Sequence, residues 1–224
     1  MKTLLAVLTF VFAIASSLGA DTDKQAISDK PLIGSFRKFL FDGKTFAGWE
    51  GDTNKTWRIE DGAFVGGSLK EKVPRNEFLA TTRSYTNFVL RLKFKLAGTS
   101  GFINGGVQFR SRRATKPANE MIGYQADIGD PTYWGNLYDE SRRRKILVQA
   151  DMTEVNKVLK RGDWNDYVIR CEGRRIRFSI NGVQTVDYTE PDESLEQCGL
   201  IGVQIHGGAV AEASYKDITI EELP

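Results

Sequence analysis

The chain has 224 residues, and its 31 lysines and arginines nearly balance its 29 aspartates and glutamates, so the formal net charge is +2 at pH 7. This length fits one domain or two small ones, and the small charge excludes the strongly basic field of a nucleic-acid-binding domain. A hydrophobic content of 41% excludes a disordered chain, and one histidine with two cysteines excludes the usual structural zinc sites. Twenty-two glycines and 11% aromatic residues favour an all-β protein.

The first twenty residues have the layout of a secretory signal peptide. Lys2 opens a short positive region, residues 4–18 form an apolar run, and Ala20 offers a small residue for cleavage. The run is shorter than the ~20 apolar residues that a membrane-spanning helix needs. We therefore expect export to the periplasm or the extracellular space, with no membrane span after cleavage. A flexible leader over 21–35 and a folded domain over 36–224 follow from this division.

The folded part alternates apolar and polar residues with the period of β-strands. Residues 87–96 put leucines and a phenylalanine on one face and lysines and an arginine on the other. Asn181 and Gly182 separate two further strands, at 175–180 and 183–188, and form the strongest hairpin signal because both residues accept a positive φ. The remaining predicted strands are 57–60, 63–66, 78–81, 106–110, 123–128, 147–150, 164–171, 199–205 and 213–221.

One short helix is predicted at 151–159, with Asp151 or Thr153 as its N-cap. About a dozen short strands in one region predict two packed antiparallel sheets, as in a β-sandwich or jelly roll. The two cysteines leave two alternatives open. In an oxidising compartment Cys171 and Cys198 could form a disulfide worth about 3 kcal/mol, or they could remain free thiols in a large β core.

Three of the predicted strands carry polar side chains at alternate positions where an ordinary solvent face carries Lys and Arg. The pairs expected to share a face are Gln108 with Arg110, Gln125 with Asp127, and Gln204 with His206. Amides both donate and accept hydrogen bonds, as sugar hydroxyls do, and charged groups make the stronger bonds. We therefore expect a sugar-binding groove on this face, the alternative being a solvated sheet surface.

Two single residues are candidates for that groove. Trp134 falls in a loop, where its ring could stack on a pyranose or could instead anchor the loop in the core. His206 is the only histidine, and its imidazole could accept a proton near pH 7 or could be a satisfied structural residue.

The segment after Trp134 contains Tyr138, Asp139 and Glu140, followed by three arginines. One interpretation is a solvated charged loop. The other is a loop that directs Asp139 and Glu140 into the groove, with Arg142 or Arg143 behind them. We favour the second for Tyr138, Asp139 and Glu140 because they follow the Trp134 loop directly.

A series of short motifs runs along the chain, beginning with Leu-Phe-Asp-Gly-Lys-Thr-Phe-Ala-Gly-Trp at 40–49. The later motifs are at 105–110, 123–125, 135–140, 164–165, 181–182, 199–207 and 216–221. In this order they resemble the 3-keto-disaccharide hydrolase family over nearly all of 37–222. The resemblance implies a concanavalin-A-like jelly roll that acts on glycosides oxidised at C3, in bacteria that export such domains. One position departs from the family pattern, since Gly123 stands where many members carry Glu, and the nearest upstream carboxylate is Glu120.

The chemistry of a 3-keto sugar indicates what such a site needs. The ketone acidifies the C2 proton, a base removes it to form an enolate, and the C1 leaving group departs by elimination, with or without later addition of water. Under this resemblance, His206 or Asp127 is the base, and Arg110 with Gln125 donates to the enolate oxygen. Glu140 or Asp139 is then the acid or a metal ligand.

The remaining expectations concern ligands. The substrate-binding candidates are Gln108, Gln125, Trp134, Tyr138, Asp139 and Gln204. A divalent metal ion held by Asp127 and Glu120 stays open, and no organic cofactor is expected. The partner is a carbohydrate. Two other functions stay open: a secreted carbohydrate-binding module without turnover, and an ordinary two-carboxylate glycosidase on the same fold.

Overall fold

The computed structural model describes residues 36–224, so the predicted signal peptide and leader lie outside the described residues. The described chain is built from fifteen strands and one helical turn. The strands are β1 (Arg37–Phe39), β2 (Trp49–Glu50), β3 (Trp57–Glu60), β4 (Ala63–Ser68), β5 (Glu77–Tyr85), β6 (Phe88–Ser100), β7 (Asn104–Arg113), β8 (Met121–Gly129), β9 (Leu137–Glu140), β10 (Ile146–Val148), β11 (Asn165–Glu172), β12 (Arg175–Ile180), β13 (Val183–Thr189), β14 (Gly199–Ile205) and β15 (Val210–Glu222). The helix is α1 (Met152–Val155), and no described helix has the length and hydropathy of a membrane-spanning segment.

The strands form two antiparallel sheets. The first has the order β13-β12-β11-β6-β15-β4-β3, with β1 added along β15, and the second has the order β10-β9-β8-β7-β14-β5-β2. Hairpin-connected strands alternate with neighbours that are far apart in sequence, such as β6 with β15 and β7 with β14, as in a jelly roll. The fold class predicted from the sequence, an all-β jelly-roll sandwich of two antiparallel sheets, is confirmed.

The core lies between the two sheets and follows from the period-two pattern. In β6, Leu90, Leu92 and Phe94 point inward and are buried, while the charged residues between them are partly exposed. Phe109 of β7 and Tyr124 of β8 face them from the second sheet, where they stack on each other with ring centroids 5.6 Å apart. Burying a side chain of this size contributes about 1.5–3 kcal/mol, so the alternating pattern determines which face of each strand turns inward.

The Asn-Gly hairpin is confirmed in its position and its turn. Asn181 and Gly182 have φ values of 48° and 85° between β12 and β13, which is the pair of positive angles that the sequence required. Asn181 also donates from Nδ2 to the carbonyl of Val158, 2.9 Å away. This bond ties the hairpin to the segment after the helix.

The predicted elements differ from the observed ones in three places. The helix covers only Met152–Val155, capped by Asp151, whose Oδ1 accepts from the backbone N–H of Thr153 at 2.9 Å. The segment 137–140, which we expected to be a loop, is strand β9. The strands β1 and β2 were not predicted, because two or three residues are too few to show a period.

Both cysteines are free thiols, and burial raises the pKa of Cys171 to about 12.

Candidate functional site

A polar cavity of about 190 Å³ opens on the second sheet, at one end of β7, β8 and β14. Its lining residues come from these strands, from β9 and from adjoining loops: Asn76, Phe102, Asn104, Gln125, Asp127, Tyr133, Tyr138, Glu140 and His206. The volume lies below the ~300–1,000 Å³ of pockets for drug-sized ligands, which suits a small ligand such as one sugar unit. Five of the nine residues were among those that the sequence selected.

Strand geometry explains how these side chains come together. Gln125 and Asp127 occupy alternate positions of β8 and share its outer face, while Tyr124 and Ala126 point to the other face and lie in the core. Tyr138 of β9 is paired directly with Gln125 in the antiparallel register. Glu140, two residues further along β9, lies on the same face as Tyr138.

A chain of buried hydrogen bonds connects the cavity to the neighbouring strand. Ser111 donates from Oγ to Oε1 of Gln108 at 2.7 Å, and Gln108 donates from Nε2 to Oε1 of Gln125 at 3.0 Å. Gln125 in turn donates from Nε2 to Oδ1 of Asp127 at 2.8 Å. Gln108 therefore does not line the cavity. It holds in place the side-chain amide of Gln125, which does line it.

A glycine makes room for this chain. Gly106 of β7 is paired with Asp127, and a Cβ on Gly106 would lie 2.7 Å from Cδ of Gln125. Atoms cannot approach that closely, so a larger residue at this position would displace the amide of Gln125. Gly106 is thus required because it leaves space for Gln125 in the polar site, and not because of a turn.

The cavity contains two carboxyl groups, those of Asp127 and Glu140, and both have raised pKa values. Burial raises the pKa of Asp127 well above its usual range, the bond from Gln125 acts against this, and the charge of Glu140 adds to it. Burial also raises the pKa of Glu140, to about 7, with a contribution from the charge of Glu120. Burial thus favours the neutral form of both carboxyl groups, and Glu140, with a pKa of about 7, is close to half ionised near neutral pH.

His206 lies at the rim of the cavity and is half-buried. Its Nδ1 is 2.7 Å from the carbonyl oxygen of Gly207. Because a carbonyl only accepts, Nδ1 carries the proton in the neutral ring, and Nε2 is left as an acceptor. The ring of Phe102 packs edge-on against the imidazole at 4.9 Å and supplies an apolar wall.

Gln204 lies beneath the cavity and is fully buried. Its Nε2 is 3.5 Å from Oε2 of Glu140, at the limit of a hydrogen bond, and its Oε1 has no hydrogen-bond partner among the described residues. The sequence prediction that Gln204 belongs to the polar face agrees with this position. Gln204 does not line the cavity, and its contact with a lining residue is the one with Glu140.

The metal-ligand candidates lie on the same side of the sheet. Asp127 lines the cavity, and Glu120 is near enough for its charge to raise the pKa of Glu140. Burial raises the pKa of Glu120 as well. Within residues 36–224, no group of three or more His, Cys, Asp and Glu side chains is arranged to hold a metal ion.

The structure places Arg110 elsewhere, which corrects the expectation that it shares a face with Gln108. Arg110 has a φ of 46° at a bulge where the register of β7 and β8 shifts, so the alternation is broken at this residue. Its guanidinium donates to the carbonyl of Thr86 at 2.6 Å and to Oε1 of Gln197 at 2.6 Å. It does not reach the cavity and cannot donate to a ligand there.

Trp134 and Asp139 also lie away from the cavity. Trp134 is only 2% exposed, stacks against Phe94 and donates from Nε1 to Asp130 at 3.0 Å, so it is the core anchor and not a sugar platform. Asp139 faces inward from β9, has no exposure, and forms ion pairs with Arg142 and Arg143. The expectation that Asp139 points into the groove is therefore wrong, whereas Glu140 does point there.

Four lining residues were not predicted: Asn76, Phe102, Asn104 and Tyr133. Asn104 shares the face of Gly106 and Gln108, so extending the predicted strand by two residues would have found it. Asn76, Phe102 and Tyr133 lie in loops, where no period indicates the direction of a side chain. These three could be found only from the folded chain.

Comparison with known proteins gives a family for this domain. Residues 37–221 match the sequence model of the 3-keto-alpha-glucoside-1,2-lyase-like domain. No curated protein matches the chain.

Solved structures with a similar fold include two from Parabacteroides distasonis and one from Bacillus subtilis. One "putative glycosyl hydrolase" of P. distasonis has a TM-score of 0.62 and 19% identity and covers 84% of this chain and 94% of its own. A second has a TM-score of 0.59 and 22% identity and covers 84% and 100%. The carbohydrate-binding module CBM66 of B. subtilis has a TM-score of 0.59 and 16% identity and covers 78% and 96%. At these identities the likeness shows the fold alone.

Proposed function

The chain belongs to the 3-keto-alpha-glucoside-1,2-lyase-like domain family, and from this we propose that it cleaves 3-keto glycosides by removing the C2 proton and eliminating the group at C1. Family membership makes the domain a carbohydrate-active one. The observation that carries the finer proposal is the pair Asp127 and Glu140, two carboxyl groups that line one small cavity and whose pKa values are both raised by burial. Elimination needs one acid and one base at neutral pH, and such a pair can supply both.

Glu140 is the proposed base. With a pKa of about 7 it is substantially ionised at neutral pH, yet it still holds a proton strongly once it has taken one. The sequence hypothesis assigned the base to His206 or Asp127. We now favour Glu140 over Asp127, because the burial of Asp127 raises its pKa and so favours the protonated form, which cannot accept the C2 proton.

Asp127 is the proposed acid. In its protonated form it can donate to the leaving group at C1 or to the enolate oxygen at C3, and both gain negative charge during elimination. The bond from Gln125 fixes Oδ1 as an acceptor. The proton of Asp127 is therefore carried by Oδ2.

The other lining residues would bind and orient the sugar. The hydroxyl group of Tyr138 can donate to and accept from the ring hydroxyls, and the unprotonated Nε2 of His206 can accept from one of them. Phe102 and Tyr133, whose rings are 5.2 Å apart, can pack against an apolar face of the sugar.

A metal ion is not needed in these assignments. Of the metal-ligand candidates selected from the sequence, Asp139 is turned into the core and Glu140 is assigned as the base. The remaining two, Asp127 and Glu120, are carboxyl groups with raised pKa values and are fewer donors than Ca²⁺ or Mg²⁺ usually takes from a protein. No step is therefore assigned to an ion. Activity with and without EDTA tests this directly.

The experiment compares p-nitrophenyl glucoside with its 3-keto derivative and follows nitrophenol release by the mature domain. The proposal expects release from the 3-keto sugar alone. Release from the ordinary glucoside at a similar rate would instead support a two-carboxylate glycosidase. Binding of either sugar without any release would support the non-catalytic carbohydrate-binding module.

The localisation belongs to the same proposal. We propose that the domain acts after export, in the periplasm or outside the cell, because residues 1–20 have the layout of a signal peptide. Fractionation of cells that express the full chain would test this. Cytoplasmic retention of the uncleaved chain would contradict it.

A further inference from the structure

A second, larger groove of about 570 Å³ lies at the opposite end of β7, β8 and β14 from the candidate cavity. It is lined by Ser111, Ile122 and Leu200, one from each of these strands, and by further residues from neighbouring segments. The chain runs about 20 Å along β14 from Leu200 to His206, at ~3.3 Å per residue. The groove is therefore separate from the cavity that contains Asp127 and Glu140.

The groove is lined by four arginines but by only one carboxylate. The arginines are Arg110, Arg112, Arg113 and Arg142, and the carboxylate is the exposed Glu196. We call this feature the arginine groove. Clusters of arginines on a protein surface commonly bind anionic groups.

No carboxylate among residues 36–224 forms an ion pair with Arg110. Its guanidinium is bonded to the carbonyl of Thr86, to the side-chain oxygen of Asn87 and to that of Gln197, all uncharged acceptors. Arginine stays protonated in proteins even when it is buried. The wall of the groove therefore holds a buried positive charge without a carboxylate partner.

The other arginines add to this charge. Arg112 is exposed, and its side chain makes no hydrogen bond or ion pair within residues 36–224. Arg113 donates to the backbone carbonyls of Glu50 and Phe78, and the nearest carboxylate oxygen of Glu50 is 3.9 Å away. Only one loose ion pair thus balances these two arginines.

Arg142 contributes a donor without an acceptor. Its Nε is bonded to Asp139, its guanidinium lies 4.4 Å from the ring centre of Tyr124, and its Nη2 is buried with no hydrogen-bond partner among the described residues. A buried donor without a partner costs about 1–3 kcal/mol. Arg142, which lines the groove, therefore has a donor that the described residues leave unsatisfied.

We propose that the arginine groove binds the sulfate or carboxylate group of an acidic carbohydrate. The planar guanidinium group matches the paired oxygens of both anions. Ile122, Leu195 and Leu200 provide apolar walls beside the arginines, against which the ring that carries the anion can pack. That the ligand is a carbohydrate rests on the proposed function, whereas the anion preference rests on the arginines alone.

The test is an NMR titration of the mature domain with glucose 6-sulfate, glucuronate, glucose and inorganic sulfate. The reporters are the backbone amides of Gly199 and Leu200 in the groove and of Asp127 and His206 in the cavity. We expect both charged sugars to shift the groove amides, and glucose to leave them unchanged. Inorganic sulfate should bind there more weakly than glucose 6-sulfate, since it lacks the ring.

Two variants test whether glucose 6-sulfate binds at the arginine groove. Arg112→Gln should weaken the binding of glucose 6-sulfate by about tenfold, as loss of one charge-assisted bond does. Its matched control Lys70→Gln makes the same charge change at an exposed residue outside the groove and should bind like the unaltered domain. Raising the salt concentration should weaken binding in both the control and the unaltered domain.

The proposal is overturned if the charged sugars leave the groove amides unshifted, or if glucose shifts them equally. It is also overturned if inorganic sulfate binds as tightly as glucose 6-sulfate, or if Lys70→Gln weakens binding as much as Arg112→Gln. The Glu140→Gln variant separates this proposal from the function of the cavity. Groove binding should persist in Glu140→Gln, whether or not its turnover of 3-keto sugars is lost.

Discussion

Gln125 donates a hydrogen bond of 2.8 Å from Nε2 to Oδ1 of Asp127, two residues further along the same face of β8. The side-chain amide of Gln125 cannot rotate by 180° without losing two bonds, this one and the bond that its Oε1 accepts from Gln108 at 3.0 Å. Oδ2 of Asp127 makes no hydrogen bond within the described residues and belongs to a side chain that lines the cavity. The sheet thus leaves one defined carboxyl oxygen of Asp127 available to a ligand, in a buried setting that raises the pKa of this group.

We predict that Asp127→Asn and Glu140→Gln each lower kcat on a 3-keto glycoside by about 10²–10⁴-fold, the usual contribution of a positioned acid or base. Asparagine keeps the oxygen that accepts from Gln125, so the fold should be retained. The measurement is kcat together with sugar affinity for each variant. An equal loss of affinity and rate would mean that these residues bind the sugar but do not transfer protons.

The pH dependence of kcat/KM should follow the two carboxyl groups. Activity should rise as the pH increases through about 7, because Glu140 must lose its proton to act as a base. It should fall again at higher pH, when Asp127, whose pKa is raised by burial, loses the proton that it donates. The residual activity of Glu140→Gln should lack the acidic limb. An unchanged acidic limb in this variant would place the base elsewhere.

Gln108 is predicted to be a positioning residue for Asp127. Gln108→Leu removes the donor to Gln125 and should cost about 1–3 kcal/mol of folding stability, since Oε1 of Gln125 is left unpaired. Without Gln108 the amide of Gln125 is no longer held in place, which should weaken its bond to Asp127. That bond lowers the pKa of Asp127, so the alkaline limb of the pH profile should move to higher pH. The measurement is the pH profile with a thermal melt.

Ser111→Ala is the matched control for Gln108→Leu. It removes the hydroxyl that donates to Gln108 and leaves the bond between Gln108 and Gln125 in place. We expect its alkaline limb to coincide with that of the unaltered domain. If Gln108→Leu only lowers stability and leaves the pH profile unchanged, Gln108 has a structural role alone.

Glu190 should make the stability depend on acid. It is fully buried, and although burial opposes its ionisation, bonds from Arg143 and from the hydroxyl of Tyr124, each 2.7 Å long, lower its pKa to about 2. A lowered pKa stabilises the fold above the unfolded value of 4.5, and this contribution is lost as the pH falls from there through 2.

The variant Glu190→Gln measures this contribution. Removing one member of a buried ion pair should lower the free energy of unfolding by about 3 kcal/mol at pH 7. Urea unfolding at pH 7 and at several values down to pH 2 should show the difference from the unaltered domain narrowing as the pH falls. A constant difference over this range would mean that Glu190 is not ionised in the folded state.

Much of the fold and part of the site follow from local rules. Alternation places Gln125 and Asp127 on one outer face whatever the rest of the chain does, because side chains of a strand alternate between faces. Asn181 and Gly182 fix their hairpin through backbone angles alone. These predictions needed no knowledge of distant contacts.

The predictions that were wrong depend on contacts that alternation does not contain. Arg110 would share the face of Gln108 in a regular strand, but the bulge at this residue turns it toward Thr86. Trp134 looked exposed because it lies in a loop, and only the opposite sheet, with Phe94, provides its burial. Asp139 is held inward by arginines three and four residues away, which a loop assignment could not anticipate.

The most direct test of the central claim is the fate of deuterium at C2 of p-nitrophenyl 3-keto-glucoside. The labelled substrate is cleaved by the mature domain, and the sugar product is examined by mass spectrometry, with Glu140→Gln as a blank for spontaneous exchange. Elimination through Glu140 predicts that deuterium leaves C2 during turnover and that the label slows nitrophenol release. Cleavage with the deuterium retained and the rate unchanged would contradict removal of the C2 proton.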